Sequence, residues 1–403
     1  MKDVIVIGGG ASGMMAALKA AQSGDCRVLL LERQQRLGRK LLATGNGRCN
    51  LTNRDISPAR YHGADPSFAQ AALERFSADD TRAFFTSLGL LTVDERFGRV
   101  YPLSDSANSV LDVLRLALTR EGVEVRTSCC VTGARRAKNG FIVACGEESL
   151  HADALIVACG GAAGAKLGGV KDGYALLGSF GHRRTALTPA LVPVLTDPQY
   201  PRSLKGIRAD AAVTLRAGGK TLARSEGEVQ FTENGVSGPA VFDVSREAGR
   251  CGKGAEIALD LFRGRGRDEL LAMLRARRET MPSLETGELL TGMLHNRLGR
   301  MLVRYAGLPL SEPLGKLSDE DLRRVLTACT DFSLPVRGTA GFDGAQVTAG
   351  GIATEDFDPV TLQSKLVPGL YACGEVLDID GDCGGFNLQW AWSSGAVAGS
   401  LQP

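Results

Sequence analysis

Three glycines and one acid near the start of the chain have the residue types and the spacing that bind a dinucleotide. Gly8, Gly10 and Gly13 follow the pattern G-x-G-x-x-G, and Glu32 lies nineteen positions after Gly13. The first glycine of such a turn permits a tight bend, the second lets the backbone approach a pyrophosphate, and the third allows close helix–strand packing. The acid can accept hydrogen bonds from a ribose diol. The predicted pyrophosphate contacts are Gly8, Gly10, Ala11, Ser12 and Gly13.

The elements around this turn are those that a nucleotide-binding β-α-β unit needs. Residues 4–7 are a short apolar run rich in β-branched side chains, typical of a strand buried on both faces of a parallel sheet. Residues 14–21 favour a helix, and residues 28–31 predict a second buried strand that ends at Glu32. The helix N-terminus would offer unpaired N–H groups and partial positive charge to phosphates. A β-α-β turn without a ligand is the less favoured interpretation.

A polar segment follows the acid directly. Small and polar residues dominate positions 43–53, so this stretch has no regular apolar face and we predict an ordered loop. Arg39 and Lys40 are candidates for the phosphates, and a solvated basic loop is the alternative. The predicted cofactor contacts in this segment are Arg33, Arg39, Lys40, Thr44, Gly45, Asn46, Cys49 and Asn50.

A second glycine turn lies near the other end of the chain. Residues 370–373 predict a buried strand that ends at Gly374 and Glu375, and a glycine pair at 384–385 precedes a helix. Another buried strand, residues 154–157, also ends in small residues that let a nucleotide pass close to the backbone. We therefore infer a nucleotide domain that is discontinuous in sequence. Its further predicted contacts are Val131, Ala158, Gly160, Gly374, Glu375, Gly385, Phe386, Asn387, Leu388 and Gln389.

The segments between the two turns predict inserted modules in an α/β protein. We assign 1–186 to the first part of the nucleotide domain, 187–262 to a β-rich insert, 263–330 to a small helical domain and 331–403 to the returning strands. Residues 66–88 predict a helix in the first part. The arginine-rich run at 263–278 is interleaved with acids, which favours a solvated helix face over a nucleic-acid contact.

Composition excludes several classes of protein. Of the 403 residues, 44% are hydrophobic and 23% charged, as in ordinary globular proteins, and the net charge is +2. That balance gives no reason to expect nucleic acid or an anionic membrane as a partner, and no apolar run is long enough to span a bilayer. The ten cysteines form no C-x-x-C motif, so we predict no metal site and reduced thiols in a cytoplasmic protein. The oligomeric state stays open.

Four longer motifs together resemble one family. They are G-R-K-L-L-A-T-G-N-G-R-C-N-L-T-N, F-T-E-N-G-V-S-G-P, V-T-A-G-G-I and G-G-F-N-L-Q-W-A-W-S-S-G. These stretches resemble the BaiN/YhiN-like flavoproteins, also labelled aminoacetone oxidase family FAD-binding enzymes, over essentially the whole chain. The resemblance implies a discontinuous Rossmann-type FAD-binding domain with an inserted β-barrel-like domain and a small helical domain. One departure is Glu233-Asn234, where a histidine is expected before the glycine, so any role of that histidine is in doubt here.

The resemblance also implies a place for each part of a non-covalent FAD. The loop at 44–50 and the turn at 385–389 would flank the isoalloxazine ring, and Glu375 would face the ribityl hydroxyls. The helix that begins near Asn387 would direct its N-terminus at the flavin N1–C2=O edge. Only one complete dinucleotide fingerprint is present, so NADH or NADPH, if used as electron donor, would visit the flavin only transiently.

The sequence does not identify a catalytic residue. Cys49 and Cys383 are candidate thiols, but free cysteines are more often inert packing residues. His62 is the only histidine close in sequence to the polar loop, and we assign it no role. Three functions stay open. The favoured one is an NAD(P)H-linked reductase of an activated C=C bond in a small hydrophobic, steroid-like substrate; the others are an amine oxidase using oxygen and a flavin-bound binding or RNA-associated protein without steady turnover.

Overall fold

The computed structural model describes residues 1–402, with strands and helices interspersed along the chain. The strands are β1 (Lys2–Ile7), β2 (Cys26–Leu31), β3 (Thr52–Asn53), β4 (Tyr61–His62), β5 (Thr92–Asp94), β6 (Arg99–Pro102), β7 (Glu124–Arg126), β8 (Val131–Arg136), β9 (Phe141–Cys145), β10 (Glu148–Ala152), β11 (Ala154–Val157), β12 (Thr188–Ala190), β13 (Val194–Thr196), β14 (Arg208–Ala217), β15 (Lys220–Thr232), β16 (Gly235–Ser237), β17 (Ala255–Asp260), β18 (Phe332–Thr339), β19 (Val347–Ala349), β20 (Leu370–Ala372) and β21 (Asp380–Gly381). The helices are α1 (Ala11–Gln22), α2 (Arg39–Ala43), α3 (Gln70–Arg75), α4 (Ala78–Ser87), α5 (Ala107–Arg120), α6 (Asp172–Ser179), α7 (Pro239–Cys251), α8 (Arg267–Thr280), α9 (Asn296–Tyr305), α10 (Asp319–Thr330), α11 (Gly341–Gly344) and α12 (Phe386–Gly399).

The chain divides into two compact units. The nucleotide unit comprises Met1–Pro189 together with the chain from Phe342 onward, and the barrel unit comprises Ala190–Gly341. The predicted discontinuity of the α/β domain is thereby confirmed. Residues 263–330 fall inside the barrel unit, and their separation as a helical domain stays a prediction. Among the described residues, no helix is both long enough and apolar enough to cross a membrane.

The nucleotide unit is built on a parallel sheet with the strand order β20-β11-β1-β2-β7. Its central strand β1 pairs with β2 and β11, so that Val4 lies between Val28 and Ala154. Residues 4–7 are buried because an apolar strand in the middle of a parallel sheet is covered on both faces. The edge strand β20 comes from the far end of the chain and pairs with β11.

Two helices from opposite ends of the chain pack closely in this unit. A Cβ placed on Gly395 of α12 would lie 2.4 Å from the carbonyl oxygen of Ser12, and one on Gly399 would lie 2.3 Å from that of Ala16. Only glycine allows the backbones of α1 and α12 to approach this closely. The small residues of both helices are therefore a packing requirement.

The barrel unit contains a closed six-stranded barrel with the order β13-β16-β15-β14-β17-β18. Alternate residues point inward, so Val213 and Leu215 of β14 are buried with Phe231 of β15. Helix α10 begins with a capping box, because the Ser318 hydroxyl accepts from the Asp321 amide at 3.1 Å while the Asp321 carboxylate accepts from the Ser318 amide at 2.8 Å. The β-barrel insert is confirmed.

Two local predictions are wrong. The helix predicted over 66–88 is interrupted, because α3 ends at Arg75, the backbone of Phe76 is not helical, and Ser77 caps α4 in a second capping box with Asp80. The expectation of wholly reduced thiols also fails, since Cys129 and Cys145 form a disulfide. Their Cα atoms lie 6.1 Å apart, because Cys145 of β9 pairs with Val131 of β8, two residues from Cys129.

Candidate cofactor site

The three glycines of the first turn occupy three different environments. Gly8 has φ +109°, and a Cβ there would lie 2.4 Å from the carbonyl oxygen of Ala158. A Cβ on Gly13 would lie 1.8 Å from the carbonyl oxygen of Gly8. Around Gly10, by contrast, a Cβ would meet no heavy atom within 4 Å. Packing fixes the first and third glycines, and the second borders the open space that a pyrophosphate would need at the N-terminus of α1.

The acid at the end of β2 is fixed by the backbone. Glu32 is only 9% exposed; its Oε2 accepts from the Gly9 amide and its Oε1 from the Gln34 amide, each at 2.7 Å. A carboxylate has further lone pairs that can accept hydrogen bonds. Glu32 is thus oriented beside the glycine turn, with acceptor capacity left for a ribose diol.

The cationic side chains predicted to contact the cofactor, Arg33 among them and Arg39 and Lys40 as the phosphate candidates, all have partners in the protein. The pairs are Arg33 with Asp172 at 2.8 Å, Arg39 with the Gln34 side chain and the Lys166 carbonyl at 2.6 and 2.9 Å, and Lys40 with Glu375 at 2.6 Å. In this arrangement, the positive potential at the turn comes from the N-terminus of α1. Contacts of Arg39 and Lys40 with phosphate, and of Arg33 with the cofactor, stay predictions.

Glu375 lies in a small polar network that joins distant segments. Lys40 pairs with its Oε2, and the amide of Thr348 donates to its Oε1 at 2.8 Å. The Thr348 hydroxyl in turn accepts from the Ala163 amide at 2.9 Å. A Cβ on Gly161 would collide with both Glu375 and Thr348 at 2.5 Å. Sequence reasoning assigned Lys40 and Glu375 to different parts of the cofactor and gave Thr348 no role, although it lies in the quoted V-T-A-G-G-I motif.

The polar loop is ordered, and several of its residues have left-handed backbones. Gly45, Asn46 and Cys49 have φ near +60°. Burial raises the pKa of the Cys49 thiol to about 12, so this cysteine is protonated at neutral pH and is no ready nucleophile. The Asn50 Oδ1 atom is buried and accepts no hydrogen bond from the described residues. A Cβ on Gly385 would lie 3.0 Å from it, so this unused acceptor borders the second glycine turn.

The second glycine turn is held by its own side chains. Gly385 has φ +100° and caps α12, and a Cβ there would lie 2.4 Å from the Thr52 carbonyl oxygen. The Asn387 side chain binds the amide and carbonyl of Gly381 at 2.8 and 2.7 Å. Buried Gln389 bonds to four protein groups, among them the Thr52 hydroxyl at 2.5 Å. The polar groups of Asn387 and Gln389 therefore serve the fold, and what α12 offers a ligand is its N-terminus.

The remaining predicted residues line the junction of the two turns. Gly374 has φ +77°, and a Cβ there would lie 2.4 Å from the Ser12 hydroxyl. Gly160 has φ +71° with open space around it. Gly8 packs against the backbone of Ala158. Val131 is the first residue of β8, two positions after Cys129, whose amide donates to the Glu32 carbonyl at 2.9 Å. Phe386 is buried edge-to-face against Tyr61, and Leu388 is partly buried.

Sequence reasoning missed residues that the fold brings to the second turn. The Asn53 Nδ2 atom donates to the Gly384 carbonyl at 2.8 Å and contacts the Phe97 carbonyl at 3.1 Å. His62, on the strand that pairs with β21, lies 2.7 Å from an Asp382 oxygen. Because the contacts of Asn53 with Gly384 and of His62 with Asp382 join segments more than 300 residues apart, no local spacing could have predicted them. The D-I-D-G-D run before the glycine pair was the one available signal.

These features fit FAD. The open face of Gly10, the α1 N-terminus and Glu32 suit an adenosine diphosphate, and the α12 N-terminus with the unused Asn50 acceptor suits a flavin ring, which carries both a carbonyl edge and an N–H. Among the described residues, no cluster of side chains could hold a metal ion. The fold and site define a Rossmann-type flavoprotein of the FAD-dependent oxidoreductase class.

Comparison with known proteins identifies the family. The pattern of the family described as "HI0933-like protein Rossmann domain" matches residues 2–401, and the chain belongs to that family. This confirms the resemblance found in the sequence motifs.

Curated relatives cover nearly the whole chain. A 3-dehydro-bile acid delta(4,6)-reductase of Clostridium scindens is 39% identical over 99% of this chain and 98% of its own length. A ribosomal RNA dihydrouridine synthase of Escherichia coli is 31% identical over 97% and 96%. Among solved structures, the open conformation of a flavocytochrome c3 fumarate reductase aligns with a TM-score of 0.49 at 17% identity, over 99% of this chain and 78% of that one. That likeness is too distant to bear on activity.

Proposed function

We propose that this protein reduces an activated C=C bond, conjugated to a carbonyl, in a small hydrophobic, steroid-like substrate, with NADH or NADPH as donor. The observation that carries this proposal is the chemistry shared by the relatives' names. A 3-dehydro-delta(4,6) bile acid contains a C=C bond in conjugation with a ketone, and forming dihydrouridine saturates a C=C bond in conjugation with a uracil carbonyl. The 39% identical relative favours the steroid-like substrate for this chain.

The proposed division of labour follows the two turns. Gly8, Gly10, Ala11, Ser12 and Gly13 would hold the pyrophosphate, Glu32 the adenosine ribose, and Glu375 the ribityl chain after release from Lys40. The polar loop and the N-terminus of α12 would border the flavin ring, where the partial positive charge of the helix stabilises negative charge at the N1–C2=O edge. Bound FAD would supply hydride transfer, and the protein supplies orientation and electrostatics.

The absence of a second complete fingerprint shapes the donor proposal. Gly160 and Gly164 both have left-handed backbones, but no acid-ended strand follows them at the spacing of a dinucleotide motif. We therefore propose that the nicotinamide binds only transiently at the flavin. Such an arrangement requires donor and substrate to use the site in turn.

The test is an anaerobic two-step spectrum of the FAD-loaded protein. NADH or NADPH should bleach the flavin absorption, and a 3-oxo-4,6-diene bile acid added afterwards should restore it, with one C=C bond saturated per flavin reoxidised. If neither NADH nor NADPH bleaches the flavin, the proposed electron donor is contradicted. A reduced flavin that the diene fails to reoxidise contradicts the substrate class.

Two alternative functions predict different results in the same kind of flavin measurement. Reoxidation by ribosomal RNA, with dihydrouridine formed, would support the reaction of the 31% identical relative; the net charge of +2 provides little general attraction for a polyanion. Hydrogen peroxide formed from a small amine and oxygen, without a nicotinamide, would support the amine oxidase.

A further inference from the structure

A short hairpin presents an aromatic side chain at the second glycine turn. Phe97, between β5 and β6, is 72% exposed and has φ +63°, a conformation that bulky residues rarely adopt. The tip does not move freely, because the Arg54 amide donates to the Gly98 carbonyl at 2.8 Å. The Asn53 amide group joins the Phe97 carbonyl to the Gly384 carbonyl. An exposed aromatic ring is thus held in a strained backbone beside the turn that begins α12.

Next to this ring is an arginine with one unsatisfied buried nitrogen. The Arg99 guanidinium carbon lies 5.8 Å from the centre of the Phe97 ring, and a Cβ on Gly384 would lie 3.7 Å from the Arg99 Nε. That Nε is buried and has no hydrogen-bond partner among the described residues. Three other arginines of this region each have a carboxylate: Arg48 has Glu95 and Asp105, Arg54 has Asp94, and Arg60 has Asp55.

A buried donor without an acceptor destabilises a protein unless a ligand or water satisfies it. A guanidinium offers five N–H groups that suit an oxygen carrying negative charge. An exposed aromatic face suits a flat apolar ring. The two groups lie side by side, so a ligand that satisfies both must combine a planar ring with an oxygen able to accept negative charge.

We infer that Arg99 and Phe97 form the subsite for the substrate's conjugated carbonyl, with Arg99 donating to the oxygen and Phe97 covering the ring. This inference rests on the proposed reductase function. Bound FAD would supply to the β-carbon a hydride drawn from the nicotinamide, and the C=C electrons would move to the carbonyl oxygen to give an enolate. The enolate then takes a proton from water at its α-carbon and the carbonyl re-forms. Arg99 stabilises the negative oxygen at the intermediate stage, which makes it a catalytic residue.

The experiment uses 4-nitrophenol, whose phenolate resembles a planar enolate and whose colour reports its ionisation. The FAD-loaded protein is titrated with 4-nitrophenol and with 4-nitroanisole, which has the same ring but cannot ionise. We expect 4-nitrophenol to bind at least about tenfold more tightly, as a hydrogen bond to a charged group would give, and with a pKa lower than in free solution. Equal binding of the two compounds, or binding of neither, overturns the inference without any variant.

The variants locate the effect. Arg99→Gln should weaken 4-nitrophenol binding by about tenfold or more and abolish the pKa decrease, with little change for 4-nitroanisole. Arg99→Lys should retain part of the pKa decrease, and Phe97→Ala should weaken both compounds by a similar factor. The matched control is Arg54→Gln, which removes an arginine that follows the neighbouring strand β3 and pairs with Asp94 of the hairpin. A loss in Arg54→Gln equal to that in Arg99→Gln refutes the assignment.

The titration requires neither a nicotinamide nor turnover, so its failure is distinguishable from failure of the proposed function. If 4-nitrophenolate binding depends on Arg99 but no nicotinamide reduces the flavin, the subsite is supported and the proposed donor is contradicted. If the flavin is bleached and reoxidised normally but binding does not depend on Arg99, the reductase function is supported and the subsite is contradicted.

Discussion

The two glycine turns of the nucleotide unit solve different problems with the same residue. At the first turn, Gly8 and Gly13 pack against backbone atoms of neighbouring segments and Gly10 borders open space, so the site consists of main chain and one helix end. At the second turn, Gly385 packs against Thr52, and the groups left unused nearby are the side-chain atoms Asn50 Oδ1 and Arg99 Nε. The first turn is suited to phosphate, which every dinucleotide carries. The second turn presents side-chain polar groups, and these can differ from one flavoprotein to another.

The largest expected effect separates two glycines of the first turn. Gly13→Ala places a Cβ 1.8 Å from a backbone oxygen and should destabilise the protein by more than about 3 kcal/mol, measured by denaturant unfolding. Gly10→Ala, whose Cβ meets nothing, should cost about 1 kcal/mol or less yet weaken ADP and FAD binding by about tenfold or more. Equal destabilisation by the two substitutions would contradict the distinction between packed and open glycines.

The next substitution tests whether the turns act separately. Gly385→Ala combines a left-handed backbone with a contact of 2.4 Å and should cost about 2–3 kcal/mol. It should weaken FAD binding but leave ADP binding unchanged, since ADP lacks the flavin. Gly122→Ala is the control, because its φ is +70° but no atom lies within 4 Å, so strain alone should cost about 1 kcal/mol. Loss of ADP binding in Gly385→Ala would show that the turns are coupled.

A smaller effect is expected at the ion pair between the turns. Glu375→Gln should weaken FAD binding by about tenfold and leave ADP binding unaltered, because the carboxylate is proposed to bind the ribityl chain. Lys40→Gln should change the free energy of unfolding by less than about 1 kcal/mol, since the pair is partly exposed to solvent. Isothermal titration of both ligands to both variants checks this. A Lys40→Gln protein that loses ADP affinity would instead support the phosphate contact predicted from the sequence.

The smallest effect concerns Cys49. Because burial raises the pKa of this thiol to about 12, iodoacetamide at pH 8 should modify the exposed Cys130 and Cys251 and spare Cys49. Cys49→Ala should retain flavin reduction and reoxidation rates within about twofold. Rapid alkylation of Cys49, or a large loss of rate, would restore it as a redox or nucleophilic residue.

How far the sequence predicts this site depends on whether the determining contacts are local. Gly8, Gly13 and Glu32 belong to one β-α-β unit, so their spacing predicted both the fold and the packing roles seen here. The pairing of Lys40 with Glu375 spans 335 positions, and the contact of Asn53 with Gly384 spans 331. Such pairs depend on which strands become neighbours, which residue spacing does not encode. That the buried Arg99 Nε has no hydrogen-bond partner among the described residues is likewise visible only in three dimensions.

The close packing of α1 and α12 has a consequence for synthesis. A ribosome adding roughly 5–20 residues per second completes α12 on the order of 20–70 seconds after α1. Until then, the backbone of α1 lacks the helix α12 whose Gly395 and Gly399 pack against it, and β11 lacks its edge strand β20. The nascent nucleotide unit therefore exposes an unpaired strand edge throughout production of the barrel. We expect the nascent chain to depend on chaperones during this interval, and chains truncated before α12 to fold poorly.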